Sequence, residues 1–77
     1  MIFAFEKIRE LRHEQGWSLE MMSRIIAGRL GEKISKSTVY GWETGRYDPG
    51  TRGLVILCLL FQVNPSYFFR IKPLKSA

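Results

Sequence analysis

The chain is 77 residues long and 45% apolar, with a net charge of +5 and a pI of about 9.8. That apolar content excludes a disordered chain, while the length limits it to one small core. The single cysteine, Cys58, excludes an internal disulfide and fits a reducing compartment.

Ile2–Gln15 reads as a first helix, with Phe5, Ile8, Leu11 and Arg12 at helical spacing and Gly16 as its stop. Glu6, Lys7, Arg9, Glu10 and Glu14 fill its other side, a solvated face with no chemistry implied. Trp17 precedes Ser18, a good N-cap, and with Met21 or Met22 one turn on it can staple the entry to the next helix. That second helix, 18–30, has Met22, Ile25, Ile26 and Leu30 as its stripe and Gly31 as its stop. Gly28 weakens the last turn, so Ala27–Lys33 is part helix and part turn.

The third helix, 35–44, is short and sharply bounded by the cap Ser35 and the terminator Gly45. Only Val39 and Trp42 form an apolar pair on it. Lys36, Ser37, Tyr40, Gly41 and Thr44 are left facing outward. A helix with so narrow a buried stripe and such firm caps is there to present its outer face.

After a connection stiffened by Pro49, a fourth helix, 52–61, is apolar all round. The run Leu54–Phe61 is far too short to span a bilayer, and the N-terminus lacks a signal-peptide pattern, so a cytoplasmic location is expected. Asn64-Pro65 supplies a cap and a first-turn proline for a fifth helix, 65–69. The basic tail 70–77, with Pro73, is expected to be loosely ordered. The sequence thus predicts an all-α fold, a compact five-helix domain over residues 1–69.

The positive charge is uneven. Residues 1–35 are nearly balanced, whereas residues 36–77 carry Lys36, Arg46, Arg52, Arg70, Lys72 and Lys75 against Glu43 and Asp48 alone. A basic excess in the half that holds the presented helix points to a polyanionic partner, nucleic acid first. No enzyme is expected. His13 stands on a charged helix face, Cys58 lies in an apolar run, and no metal-ligand spacing, phosphate loop or nucleophile–base pair is visible. No cofactor, metal or small-molecule ligand is implied.

The stretch Ser35-Lys36-Ser37-Thr38-Val39-Tyr40-Gly41-Trp42-Glu43-Thr44-Gly45-Arg46-Tyr47-Asp48-Pro49 resembles the recognition helix and following loop of Cro/CI-type (XRE, lambda-repressor-like) DNA-binding domains. The resemblance runs from about Ile8 to Phe69, with Leu11-Arg12 before Gly16 and Val63-Asn64 before the fifth helix. It implies a lambda-repressor-like helix-turn-helix fold, and it makes Glu43 the acidic partner of a first-helix arginine, for which Arg12 is the candidate. Three departures stand out. The turn Ala27–Lys33 is longer than the family's by roughly six residues, as in POU-specific domains. Leu19 stands where a phosphate-contacting glutamine is usual, and Gly41 where many members carry a polar base-reading side chain.

The side chains assign themselves on physical grounds as well. The N-terminal residues of a helix in the major groove reach deepest, so Lys36, Ser37 and Tyr40 are the base-reading candidates. Gly41 would let the helix approach closely without reading anything itself. The backbone around Thr44–Tyr47 belongs beside a phosphate, with Arg46 as its best side chain and Thr44, Tyr47, Ser18 and Lys33 in support. Val39 and Trp42 belong to the core.

Ile56 and Leu59, with Tyr67, Phe68 and Phe69 close by, exceed what DNA binding needs and are expected to form a homodimer interface. The reading is then a sequence-specific regulator of double-stranded DNA, a repressor acting by operator occupancy, because 77 residues leave no room for a second, ligand-sensing domain. The alternative is a protein-interaction module or antitoxin-like protein that binds a protein partner through its fourth and fifth helices.

Overall fold

The computed structural model describes residues 2–70, so the tail beyond Arg70 lies outside the described residues. Along the chain run β1 (Ile2–Phe3), α1 (Glu6–Glu14), α2 (Leu19–Leu30), α3 (Lys36–Glu43) and α4 (Gly50–Phe61). A 3-10 turn over Pro65–Phe68 and β2 (Phe69–Arg70) follow. Among the described residues the molecule is mostly helical, with four α-helices and one two-stranded sheet.

The caps of the two central helices form as expected. Ser18 Oγ accepts from the Met21 N–H at 3.0 Å, and Ser35 Oγ from the Thr38 N–H at 3.2 Å. Each satisfies a donor that the first helical turn leaves without a partner. Gly31 closes α2 at φ 67°, its N–H bonded to Ala27 O at 3.0 Å. The helix therefore continues through Gly28 to Leu30, and Gly31–Ser35 links it to α3.

The five-helix expectation is corrected at both ends of the chain. Ile2 and Phe3 leave the first helix and pair antiparallel with β2, Ile2 opposite Arg70 and Phe3 opposite Phe69. The Ala4 N–H adds a bond to Phe68 O at 2.5 Å. In this position the Phe3 ring stacks on Phe68 at 5.8 Å and meets Phe69 edge-on at 5.5 Å, contacts that a continuous first helix would not make. Phe5 takes the N-cap position of α1 and its ring lies over Gly45.

At the other end Pro65–Phe68 closes one 3-10 turn, with the Tyr67 N–H on Asn64 O at 2.9 Å. Asn64 makes no side-chain cap bond. A segment this short does not meet the nucleation cost of an α-helix on its own, and the backbone of Phe69 and Arg70 gains ladder bonds by extending instead. Glu6 adds an ion pair to Arg70 across the same join.

Ile8, Leu11, Met22, Ile26, Val39, Trp42, Leu57 and Leu60 meet in one core, and Ile56 and Phe68 join them. The last two are a correction, because both were expected on a surface between copies. Ile56 shares its helix face with Gly53, Leu57 and Leu60, so the wheel turns it inward, and Phe68 is sealed by Phe3 and Tyr67. The apolar side chains that α4 leaves outside are Val55, 50% exposed, and Leu59, 61% exposed. Tyr67 is half-buried beneath the Lys7 ammonium, 4.5 Å from its ring centroid, and Phe69 is half-buried against Phe3.

Trp17 stacks on Phe61 of α4 at 5.7 Å, with Met22 buried and Met21 exposed one turn on. Burial pushes the Cys58 thiol up from its ordinary pKa, leaving little reactive thiolate at neutral pH.

Candidate nucleic-acid interface

The mount of α3 is built from its inner face. Val39 is fully buried and Trp42 nearly so. Trp42 can lie close to α4 because Gly53 has no side chain: a Cβ there would stand 3.2 Å from the indole and 2.5 Å from Pro49 Cβ. Glu43, 2% exposed, ends the helix in a buried ion pair. Its Oε2 accepts from Arg12 Nε at 2.6 Å and its Oε1 from Arg12 Nη2 at 3.0 Å, while Arg12 Nη1 donates to Trp17 O at 2.8 Å. The fork of the guanidinium matches both carboxylate oxygens, which ties α1 to the base of α3.

The connection before α3 is also held. Ser23 Oγ donates to Ile34 O, and Glu32 Oε1 accepts from Arg52 Nε of α4 at 2.7 Å. So α3, eight residues or about 12 Å long, is gripped on three sides and free on the fourth.

On that free side lies an open depression of 580 Å³. The start of α2 contributes Ser18, Leu19 and Glu20, and α3 contributes Lys36, Ser37, Tyr40 and Gly41. Arg46 and Tyr47 of the following loop close the rim. Among the described residues Lys36 and Arg46 have no carboxylate in ion-pair range, whereas Arg9, Arg12, Arg24, Arg52 and Arg70 each have one. The depression's carboxylate, Glu20, is held by Arg24 at 3.3 Å. The free charge on this face is therefore positive.

A helix-turn-helix family model matches residues 8–68, from the third residue of α1 to the end of the 3-10 turn. The chain belongs to the XRE-type helix-turn-helix family. The family is one of DNA-binding transcription regulators and is generally non-enzymatic. In helix-turn-helix terms α2 and α3 are the motif, and α3 is its second helix. Comparison with curated proteins and with solved structures returned no match. No helix among the described residues is long and apolar enough to cross a membrane.

Within this helix-turn-helix unit, Lys36, Ser37, Tyr40, Ser18, Arg46 and Tyr47 meet at one depression. Two of the residues expected with them stand apart. Lys33 lines a separate groove with Arg24, Ala27 and Ser35. Thr44 commits its hydroxyl proton to its own helix, donating to Tyr40 O at 3.0 Å. Ser18 is placed differently, since its cap bond uses an oxygen lone pair and leaves the O–H free to donate.

Leu19, where the family usually carries a glutamine, and Glu20, which was not singled out from the sequence, complete the depression. The place of Glu20 in the first turn after the cap of α2 is a signal that could have found it. Gly41 also differs from its expected part, because the space beside it is occupied by the Tyr47 ring. A glycine inside a helix costs about 1 kcal/mol relative to alanine, and here the room for that ring is what the glycine provides.

Proposed function

We propose that the protein is a sequence-specific double-stranded DNA-binding repressor that acts by occupying its operator, with α3 in the major groove. The observation that carries this reading is the outer face of α3, where Lys36, Ser37 and half-exposed Tyr40 share one depression with Arg46 and neither cation has an ion-pair partner among the described residues. In that groove Lys36 donates to guanine O6 and N7, and Ser37 and Tyr40 reach neighbouring base edges. Ser18 and Arg46 hold phosphates on either side of the helix, with Lys33 further along the backbone track, whereas Thr44 has no free proton to add to them. The length of α2 and of Gly31–Ser35 supports the likeness to the turn of POU-specific domains. A cytoplasmic protein gathered on the nucleoid is the matching location.

The reading includes a homodimer. Val55 and Leu59 present an apolar strip beside Leu30, and the strip is flanked by Glu32 and Arg52. Glu32 and Arg52 are bonded to each other, so two such strips can meet across a two-fold axis without leaving a charge unpaired between them. Two copies of α3 then fall about one DNA turn, roughly 34–36 Å, apart.

A random-oligonucleotide selection with the purified protein tests the DNA reading. Enrichment of a palindrome with half-sites about 10 base pairs apart is expected, and a flat pool after selection refutes it. Sedimentation at micromolar concentration tests the dimer, with Leu59→Lys expected to leave a folded monomer. A wild-type protein that is already monomeric there removes the dimer and leaves α3 to be judged by the selection.

A further inference from the structure

We infer that Tyr47 is a base-reading residue, its ring carried from the loop onto the outer face of α3 to supply specificity at the position where Gly41 has no side chain. The inference rests on the DNA-binding reading and reassigns a residue expected to touch only the phosphate backbone.

The argument begins with a contradiction at Gly41. The residue lies one turn beyond Ser37 and one turn before Thr44, on the outward line of α3, yet it is buried. The Tyr47 ring accounts for this. A Cβ built on Gly41 would lie 2.0 Å from Tyr47 Cδ2, 2.6 Å from Cε2 and 3.0 Å from Cγ, so the ring occupies the volume of any other residue's side chain. The Tyr47 N–H donates to Gly41 O at 3.1 Å, which fastens the loop to the same residue. Glycine and tyrosine therefore act as one composite position.

The ring is also placed to be used. Tyr47 keeps 51% of its surface exposed although one side is seated on the helix, and it shares the depression with Lys36, Ser37 and Tyr40. The ring lies across the outer face of α3, over Gly41, which on the DNA-binding reading is the face that base edges approach. A phenol carries an O–H that donates and accepts, suited to a purine edge, and a ring edge suited to a thymine methyl. The backbone bond and the glycine seat fix the ring before DNA arrives, which lowers the ordering cost of using it.

The test measures binding of wild type, Tyr47→Ala, Gly41→Ala and the double variant by fluorescence anisotropy at one salt concentration. The targets are the selected site and every single-base variant of one half-site. Tyr47→Ala is expected to lower discrimination at a single base position by about tenfold and to leave the other positions unchanged. Gly41→Ala favours the helix but evicts the ring, so it is expected to lose discrimination at that same position. The double variant should then be no worse than either single one.

Thermal unfolding of the variants, followed by circular dichroism, identifies any that fail to fold, and Gly41→Ala carries the comparison if Tyr47→Ala does. A uniform weakening on all sequences by either variant, or effects of the two substitutions that multiply, overturns the inference. A wild-type protein that prefers no sequence defeats the DNA-binding reading as well, and that outcome is told apart because the wild type is measured first.

Discussion

Glu43→Ala is expected to lower the unfolding free energy by about 3–5 kcal/mol, the usual cost of removing one partner from a buried ion pair. The reason lies in what remains. The Arg12 side chain is only 10% exposed and gives Glu43 two bonds, so without the carboxylate its charge stays in the interior with only the Trp17 carbonyl to meet it. Arg9 cannot compensate. It carries the same positive charge as Arg12, and its own 3.4 Å contact with Glu43, made by a side chain 48% exposed, is lost with the carboxylate.

For a domain whose total stability is about 5–15 kcal/mol, the loss is a large fraction. Urea denaturation followed by circular dichroism checks it. The paired change Arg12→Met with Glu43→Leu should cost less than Glu43→Ala alone, since no orphan charge is left behind. A Glu43→Ala midpoint equal to that of wild type would show that the pair does not hold α1 to α3.

Lys36→Ala and Arg46→Ala are expected to weaken DNA binding in two distinguishable ways. Lys36 stands in the first turn of α3, where a side chain reaches furthest into a groove, so its loss should cost about 1–3 kcal/mol on the preferred site and relax one base position. Arg46 lies in the loop after α3, where the proposed reading sets it against the DNA backbone. Its loss should weaken all sequences alike and flatten the slope of log K against log salt by about 1. A salt series on the selected site and on a scrambled duplex separates the two. If both variants behave like wild type, α3 is not the helix that meets DNA, and the apolar strip at Val55 and Leu59 becomes the partner face.

Much of this architecture is legible in the sequence because its signals are local. Ser18 and Ser35 cap helices by bonds to residues three positions ahead, and Gly16, Gly31 and Gly45 stop them by adopting positive φ, so a short window of sequence is enough. The inward turn of Val39 and Trp42 follows from their spacing. The Arg12–Glu43 pair spans 31 residues and came from the family resemblance, since no local rule joins two such positions.

The misreadings share a physical cause. Ile2 and Phe3 look like the start of a helix until Phe69 and Arg70, almost the whole domain away, offer their backbone groups. In α4 every residue from Leu54 to Phe61 is apolar, so nothing in that run says which side faces water, and Ile56 was exchanged for Val55. Only tertiary packing sets the rotation of that helix, with Gly53 against Trp42, Phe61 against Trp17, and Ile56, Leu57 and Leu60 in the shared core.

For the presented helix itself, sequence alone determined its bounds, its inner face and the cation at its tip, because these depend on neighbours within one or two turns. The tertiary structure alone decided that the bare position Gly41 is covered by Tyr47, since a ring's path across a helix is settled by contacts in space. Local hydrogen bonds and periodicity write the element, and long-range contacts decide which of its faces is left to meet a partner.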